Sequence, residues 1–246
     1  DFKQYSVATN LDLGRVLPEK AKVNIPFYYS YSKQITDPKY NPLDQDITLK
    51  DALNNVDTKT EKDSIHSYSR TQSTIKSVSF NNVRVNIKSK TPMPYDPANF
   101  TFGYSHSVTD NKNPETEYES TQDTRANMAY NYTPYFTPIQ PFKKLKKNNG
   151  YTKYIKQFSL NPAPSISFQT AMMRNYYELK LRDLTEAETG VKNDIPVTFS
   201  ENFYWDRAFS LNWAITNSLN IHFTSGTNAR IDAPYVQVNK KLDPDS

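Results

Sequence analysis

The most constraining feature of this chain is a stretch of alternating side chains that covers residues 197–215. Nearly every odd position carries a large apolar side chain, whereas the even positions are polar or small, which is the period of a β-strand. At about 3.3 Å per residue such a strand spans roughly 60 Å, far more than the strands of most globular domains. Strands of this length occur mainly in β-barrels and in the ribbons that project from them. The stretch therefore predicts an all-β fold built from antiparallel strands.

A second alternating stretch begins at residue 219, after a short polar segment. A three-residue loop centred on Asn217 would pair Trp213 with Ile221 and Leu211 with Phe223, which keeps these four apolar side chains on one face. A two-residue loop would set apolar side chains opposite polar ones, and that register is disfavoured. The sequence therefore predicts a hairpin with its tip at Asn217.

Weaker alternation predicts further strands, separated by polar inserts. The apolar face changes sides between Met172 and Tyr177, which predicts a bulge or bend there. Short helices are expected at residues 49–56, capped by Asp46 or Thr48, and at residues 184–190. We treat residues 1–246 as a single segment with strand candidates at 23–33, 77–88, 98–108, 126–132, 165–182, 197–215 and 219–231. The polar inserts are 37–63, 109–123, 142–157 and 183–196.

The composition does not suit an ordinary soluble core. Only 36% of the residues are hydrophobic, and 18 tyrosines and 13 phenylalanines make up much of that share. Tyrosine suits half-wet surfaces, where one end of the ring is buried and the other meets water. No apolar run approaches the ~20 residues of a membrane helix, although barrel strands need only alternate. The net charge of +4 is compatible with anionic lipid or nucleic acid and specific to neither.

The long hairpin also suits a strand pair that crosses a membrane. If the odd face from Phe209 to Ile215 meets lipid, its length of roughly 23 Å matches the ~25 Å apolar band of outer-membrane barrels. Trp205 and Arg207 would then be interface anchors, and the short loop would lie on the periplasmic side. A soluble sheet with one buried face would show the same alternation. The lipid-facing candidates are Phe209, Leu211, Trp213, Ile215, Leu219, Ile221 and Phe223.

The titratable residues form no recognisable catalytic or metal-binding motif. His66, His106 and His222 lie far apart without metal-type spacing, and the chain has no cysteine. No phosphate-binding glycine loop and no nucleophile elbow is present. The lysine-rich segment 143–156 contains two tyrosines, and a solvated loop is the favoured interpretation, with contact to anionic headgroups or a partner as the alternative. We expect no catalytic, cofactor or metal site, and no enzyme.

Several short blocks, in their order and spacing, resemble one family, the SprA/Sov proteins of Bacteroidota. The similarity is spread over nearly the whole chain, and no single block is a catalytic motif. The blocks include LPEK at 17–20, PKYNPLD at 38–44, SFNNVR at 79–84, FYWDR at 203–207 and ARID at 229–232.

This resemblance implies a fold, a location and partners. SprA/Sov proteins form the outer-membrane translocon of the type 9 secretion system, a very large single-chain β-barrel that exports folded cargo and, in gliding bacteria, motility adhesins. The implied partners are a PorV-type outer-membrane barrel, a periplasmic plug protein, the secreted cargo and outer-membrane lipid, and no nucleic acid. The alternatives from other classes are a soluble cell-surface β-rich module, glycan-binding or adhesive, and a nutrient-uptake barrel.

Overall fold

The chain forms one sheet of long antiparallel strands. The structure, a computed structural model, describes residues 1–87, 91–144, 150–184, 193 and 195–232. The strands of the sheet are β1 (Phe2–Asp12), β2 (Val23–Asn24), β3 (Pro26–Thr36), β6 (Thr71–Val85), β7 (Phe100–Lys112), β8 (Thr116–Tyr132), β9 (Ser165–Leu181), β10 (Thr198–Ala214) and β11 (Asn220–Asp232). The eight long strands lie in the order β1-β3-β6-β7-β8-β9-β10-β11, and the short β2 pairs with β6.

Sequence neighbours are spatial neighbours throughout this sheet, so its connections alternate between two ends. We call one the hairpin end; it carries connections 13–25, 86–99, 133–164 and 215–219. The other, the insert end, carries connections 37–70, 113–115 and 182–197. Antiparallel hairpins need no crossover, which permits this simple up-and-down order.

Connection 37–70 is a small folded unit, which we call the insert. It contains β4 (Tyr40–Asn41), β5 (Asp44–Thr48), α1 (Leu49–Asn54) and α2 (Lys59–Ser69). Thr48 and Thr58 cap the two helices, accepting hydrogen bonds from the backbone N–H groups of residues 51 and 61 at 3.2 and 3.3 Å. The prediction of a helix from residue 49 is confirmed; of the two predicted caps, Asp46 and Thr48, Thr48 is the cap, and the helix ends two residues earlier than expected.

Two contacts hold the insert in place. Arg70 Nε lies 2.5 Å from Asp37 Oδ1 and closes its base, since these residues begin and end the connection. Arg182 Nη2 donates to the Ser67 carbonyl at 3.1 Å, which links α2 to the end of β9. Because β7 and β8 lie between β6 and β9 in the sheet, the insert reaches across their ends.

The predicted hairpin register is confirmed. Leu211 pairs with Phe223 and Trp213 with Ile221 in the ladder between β10 and β11. A bulge or bend was predicted between residues 172 and 177; no bulge occurs there, because β9 pairs without a register shift to both neighbours across that stretch. The apolar residues change sides because both faces change along the strand: Met172 lies on one face, and Tyr177 and Leu179 lie on the other. Bulges lie instead between Phe80 and Val83 of β6 and beside Thr116 of β8.

Some predicted boundaries are also wrong. Residues 109–123, expected to be a polar insert, belong mostly to β7 and β8, which are joined by residues 113–115 alone. Strand β6 begins at Thr71, six residues before its prediction, and β1 and α2 were not predicted. Insert 142–157 holds a short helix, α3 (Gly150–Lys156). The helical turn expected at residues 184–190 lies almost wholly outside the described residues.

The sheet has almost no protein core. Among the described residues only Leu49, Ile65, Tyr132 and Tyr176 are buried apolar side chains, and the first two belong to the insert. None of the helices in the described part of the chain is long and apolar enough to cross a membrane. The organisation of the molecule therefore depends on what its two sheet faces carry.

Candidate functional site

The pairing registers assign the side chains of all eight long strands to one of two faces. Directly opposite residues of an antiparallel pair share a face, so the alternation in β10 can be followed from strand to strand to β1. The odd positions of β10 define the aromatic face, and the even positions define the polar face. This two-faced sheet is the candidate functional site.

The aromatic face is apolar toward the hairpin end. Aromatic rings contact one another across strands, with ring centroids 5.2 Å apart for Phe27 and Phe80 and 5.0 Å apart for Phe100 and Tyr130. We call this region the apolar band; its members are Leu11, Phe27, Tyr29, Phe80, Phe100, Phe102, Tyr104, Met128, Tyr130, Tyr132, Ile166, Phe168, Met172, Trp205, Phe209, Leu211, Trp213, Ile221 and Phe223.

Many side chains of the apolar band face outward without a covering layer. Phe102 is 47% exposed although its strand, β7, pairs with a strand on each side. Phe223 of β11, which pairs with β10, is 54% exposed. Large contiguous apolar patches of this kind are rare on soluble monomers and mark a surface that contacts something else.

Two tryptophans bound the apolar band on β10. The indole N–H of Trp205 donates to Thr170 Oγ1 at 2.8 Å, and that of Trp213 donates to the Asn161 carbonyl at 2.8 Å. Eight residues separate them, which corresponds to roughly 26 Å of strand at about 3.3 Å per residue. The guanidinium of Arg207 lies 4.1 Å from the ring centre of Trp205, so this side chain reaches back toward the insert end.

Beyond Trp205 the same face becomes charged. Arg174 pairs with Glu201, and Tyr118 and Tyr176 donate their hydroxyl hydrogens to Glu178 at 2.6 and 2.9 Å. The bond to the Glu178 carboxylate, with desolvation as a smaller cause, raises the pKa of Tyr118 to about 12. We call these five residues the charged margin. The aromatic face is therefore divided along the strands into an apolar part and an ionic part.

The polar face carries mostly small side chains. Cross-strand pairs hold hydrogen bonds between hydroxyls, at 3.0 Å for Ser77 with Ser107 and 2.9 Å for Ser167 with Ser210. Its members include Ser6, Ala8, Asn10, Ser30, Ser32, Ser77, Ser79, Thr101, Gly103, Ser105, Ser107, Asn127, Ala129, Ser167, Gln169, Ala171, Ala208, Ser210, Asn212, Thr224, Gly226 and Asn228.

Gly103 is packed against a partner on this polar face. A Cβ atom placed there would lie 2.3 Å from Asn127 Oδ1, so the glycine makes room for the amide of the adjacent strand.

The residues predicted from sequence are found in these surroundings. Five of the seven lipid-facing candidates lie in the apolar band, whereas Ile215 and Leu219 flank the hairpin loop. His106 and His222 bond Thr124 and Asn212 at 2.8 and 2.7 Å. No group of three metal-binding side chains occurs among the described residues. The continuation of the aromatic face through β1 was not predicted, although Tyr5, Val7 and Leu11 already alternate there.

The fold and the site define an all-β protein whose antiparallel sheet has one aromatic and one small, polar face. Residues 1–53 match a protein-family model, SprA_N, described as a motility related/secretion protein. The match supports a relation to the SprA family and a role connected with motility or secretion. No curated protein matches the chain.

Proposed function

We propose that this chain is a section of the wall of a very large outer-membrane β-barrel, the protein-conducting translocon of the type 9 secretion system. The observation that carries the proposal is the division of one continuous eight-stranded sheet into an apolar and a small, polar face, with no covering layer on either formed by the described residues. A barrel in a bilayer requires this division, because its strands alternate between lipid and a polar lumen. The SprA_N match and the resemblance over the rest of the chain support the particular system.

The dimensions of the apolar band suit a bilayer. The roughly 26 Å between Trp205 and Trp213, somewhat shortened by strand tilt, is close to the ~25 Å apolar height of outer-membrane barrels. Indole rings are favoured at membrane interfaces, and the Arg207 side chain follows the snorkelling pattern by directing its charge to the Trp205 level. In this proposal both residues keep the anchoring role inferred from the sequence.

The charged margin gives the sheet a direction. Strands of outer-membrane barrels commonly extend beyond the bilayer on the outer side, where ionic side chains meet water. The insert end would then face the cell exterior and the hairpin end the periplasm. Loop length alone does not decide this, since each end has one short connection, 113–115 or 215–219, and longer ones besides.

In this proposal the polar face lines the passage for cargo. Most of its side chains are serine, alanine, glycine, threonine or asparagine, which offer little apolar surface to which a folded protein would adhere, although Tyr28, Ile75, Met173 and Tyr204 also lie on this face. A PorV-type barrel, a periplasmic plug protein and outer-membrane lipid complete the machine. Among the described strands β1 and β11 lie at the two edges of the sheet, and in this proposal these edges pair with further barrel strands, because unpaired edges are not tolerated in lipid.

The first test is solubility and folding without detergent. We expect the chain expressed alone to aggregate in detergent-free buffer. Its β structure should be recovered only within the longer chain and in lipid or detergent. Far-UV circular dichroism measures the β structure, and size exclusion measures the aggregation. A monomer that melts cooperatively in plain buffer would refute the membrane wall.

A second test addresses cargo. In the complete chain, a photo-crosslinking amino acid at Ala208 should capture exported protein, whereas the same group at Phe209 should capture lipid or no cargo. Neighbouring positions on opposite faces provide the matched control. Equal capture of cargo from both positions would contradict the assignment of the faces.

An alternative of another class is a soluble cell-surface module that binds glycans or acts as an adhesin. The exposed tyrosines of the aromatic face favour it, since aromatic rings with a polar edge suit such surfaces; Tyr5 is 57% and Tyr104 42% exposed. The cooperative detergent-free melt described above, together with glycan binding lost in Tyr104→Ala, would favour this alternative.

A further inference from the structure

The connection between β8 and β9 has an unusual composition. Residues 133–164 contain six lysines and no acidic residue. Large exposed side chains accompany these lysines: Tyr135, Phe136, Ile139, Phe142, Tyr151, Tyr154, Ile155 and Phe158 are each at least 40% exposed. We call this connection the basic arm. A loop that was merely solvated would have no physical reason to expose so many rings.

The basic arm has a defined base. The backbone groups of Ile139 and Leu160 exchange hydrogen bonds at 2.8 and 2.9 Å, so the outgoing and returning segments pair. The rings of Phe142 and Phe158 lie 6.0 Å apart just above this pair. Along the chain, helix α3 comes after the outgoing segment at Phe142 and before the returning segment at Phe158.

Helix α3 presents an uncovered aromatic surface. Tyr151, Tyr154 and Ile155 follow the i, i+3, i+4 spacing of one helical face and are 87%, 77% and 44% exposed. Lys153 is exposed on the same short helix, and Lys143 and Lys144 are exposed beside Phe142. This combination of rings and cations is typical of peptide segments that lie in a membrane interface.

The basic arm returns to the sheet where the apolar band ends. The Asn161 carbonyl accepts the indole hydrogen of Trp213 at 2.8 Å, and the Asn161 N–H donates to the Ile215 carbonyl at 2.9 Å. Ser159 Oγ lies 3.2 Å from Asn217 Oδ1 at the hairpin tip. Only residues 157–160 separate the end of α3 from Asn161, so that end lies within roughly 18 Å of this margin of the band.

The two ends of the sheet differ in charge. By sequence, the connections of the hairpin end carry eleven lysines and arginines against two acidic residues. Those of the insert end carry seven against twelve. More than half of the basic residues of the hairpin end belong to the basic arm. The hairpin end is therefore suited to an anionic surface and the insert end is not.

We infer that the basic arm is an interfacial anchor that binds the anionic phospholipid headgroups of the leaflet at the hairpin end. The inference rests on the proposed membrane-spanning function, because it places the arm at the edge of a lipid-facing band. Lysines near a negatively charged leaflet are attracted to it, and the rings of α3 enter the headgroup region. The arm would fix the depth of this wall section in the bilayer.

The test uses cysteine labelling; this chain has no cysteine of its own, and any cysteine elsewhere in the complete barrel is first replaced by serine. Tyr154→Cys and Phe223→Cys are labelled separately with a polarity-sensitive fluorophore, in the complete barrel reconstituted with lipids that carry a quencher. We expect Phe223→Cys to be quenched in neutral and anionic bilayers alike. Tyr154→Cys should be quenched strongly in phosphatidylcholine with phosphatidylglycerol, and weakly in phosphatidylcholine alone.

A charge control accompanies the label at residue 154. Replacing Lys143, Lys144 and Lys153 by glutamine should reduce its quenching in anionic bilayers to the level of neutral ones. The matched control replaces Lys39, Lys50 and Lys59 of the insert by glutamine and should leave the quenching unchanged.

The outcomes separate this inference from the proposed function. Quenching at Phe223 without quenching at residue 154 in any lipid would overturn the anchor and retain the membrane wall; an acidic protein partner for the arm would give this result. Quenching at residue 154 alone would retain lipid binding by the arm and reject the spanning sheet. Quenching that is indifferent to lipid charge and to the lysines would also overturn the anchor.

Discussion

Replacing Phe209 by arginine is the sharpest test of where the lipid-facing surface lies. Phe209 is midway between Trp205 and Trp213, four residues from each, and therefore about 13 Å from either margin of the apolar band. Its ring centre lies 6.0 Å from that of Phe223, and its strand has a neighbour on both sides. If the aromatic face meets lipid, a charge at this depth lies far from water, and the ladder partners of residue 209, Phe168 and Ser225, are not acidic.

The expected cost follows from the depth. An arginine at the midplane of a barrel wall destabilises it by about 2–4 kcal/mol, and this falls to about 0–1 kcal/mol near the interfaces. Phe209→Arg should therefore lose that amount relative to Phe209→Ala, which removes the ring without adding a charge. Leu211→Arg, two residues nearer the margin, should cost less than Phe209→Arg. Ala208→Arg places the same charge on the polar face and should cost little.

The assay is equilibrium unfolding in urea of the vesicle-inserted protein, followed by far-UV circular dichroism. The free energy of unfolding of each variant is compared with that of the unmodified protein. A cost that is the same for Phe209→Arg and Ala208→Arg would refute the assignment of the two faces. A cost that does not decline from residue 209 to residue 211 would refute the placement of the midplane.

Three further predictions follow from particular contacts. Gly103→Ala should destabilise the sheet by about 1 kcal/mol because its Cβ would meet Asn127 Oδ1, and adding Asn127→Ala should restore most of the loss in a double-mutant cycle. The hydrogen bond to Glu178 raises the pKa of Tyr118 from 10.0 to about 12. The stability that this hydrogen bond contributes is therefore complete below pH 10 and is lost as the pH rises toward 12 and the folded protein loses the Tyr118 proton. Tyr118→Phe should therefore flatten the alkaline decline in melting temperature over that range, and an unchanged decline would contradict this cause. Arg70→Ala, which opens the base of the insert, should speed proteolysis within residues 37–70 while the sheet keeps its circular dichroism, and unchanged cleavage would show that the ion pair does not hold the insert.

Local rules were sufficient for parts of this fold. The hairpin register followed from alternation alone, because a one-residue slip would have moved Leu211 and Trp213 opposite polar side chains. The first helix followed from Thr48, whose hydroxyl caps the backbone N–H of residue 51. In both cases the residues that specify the structure are close together in the sequence.

Other parts were missed because their determinants are distant. Strand β8 contains a long polar run within residues 116–127 with no apolar alternation, so a loop was predicted there. The run is extended because β7 and β9 supply hydrogen-bond partners on both sides. The apparent face change near Met172 has a similar origin: beyond it the aromatic face carries Arg174 and Glu178, whereas Tyr177 and Leu179 lie on the polar face, which only the ladders to β8 and β10 establish.

The sequence by itself determined the all-β class, the strand pairing of the last hairpin and the apolar character of alternate positions, since each depends on a period of two or on a short turn. Only the tertiary structure decided that eight strands share one aromatic face and one small, polar face. That decision requires the register of every ladder, and a register joins residues as far apart as Tyr118 and Lys180. It also decided that the basic arm returns to Trp213, because this contact joins residues 52 positions apart.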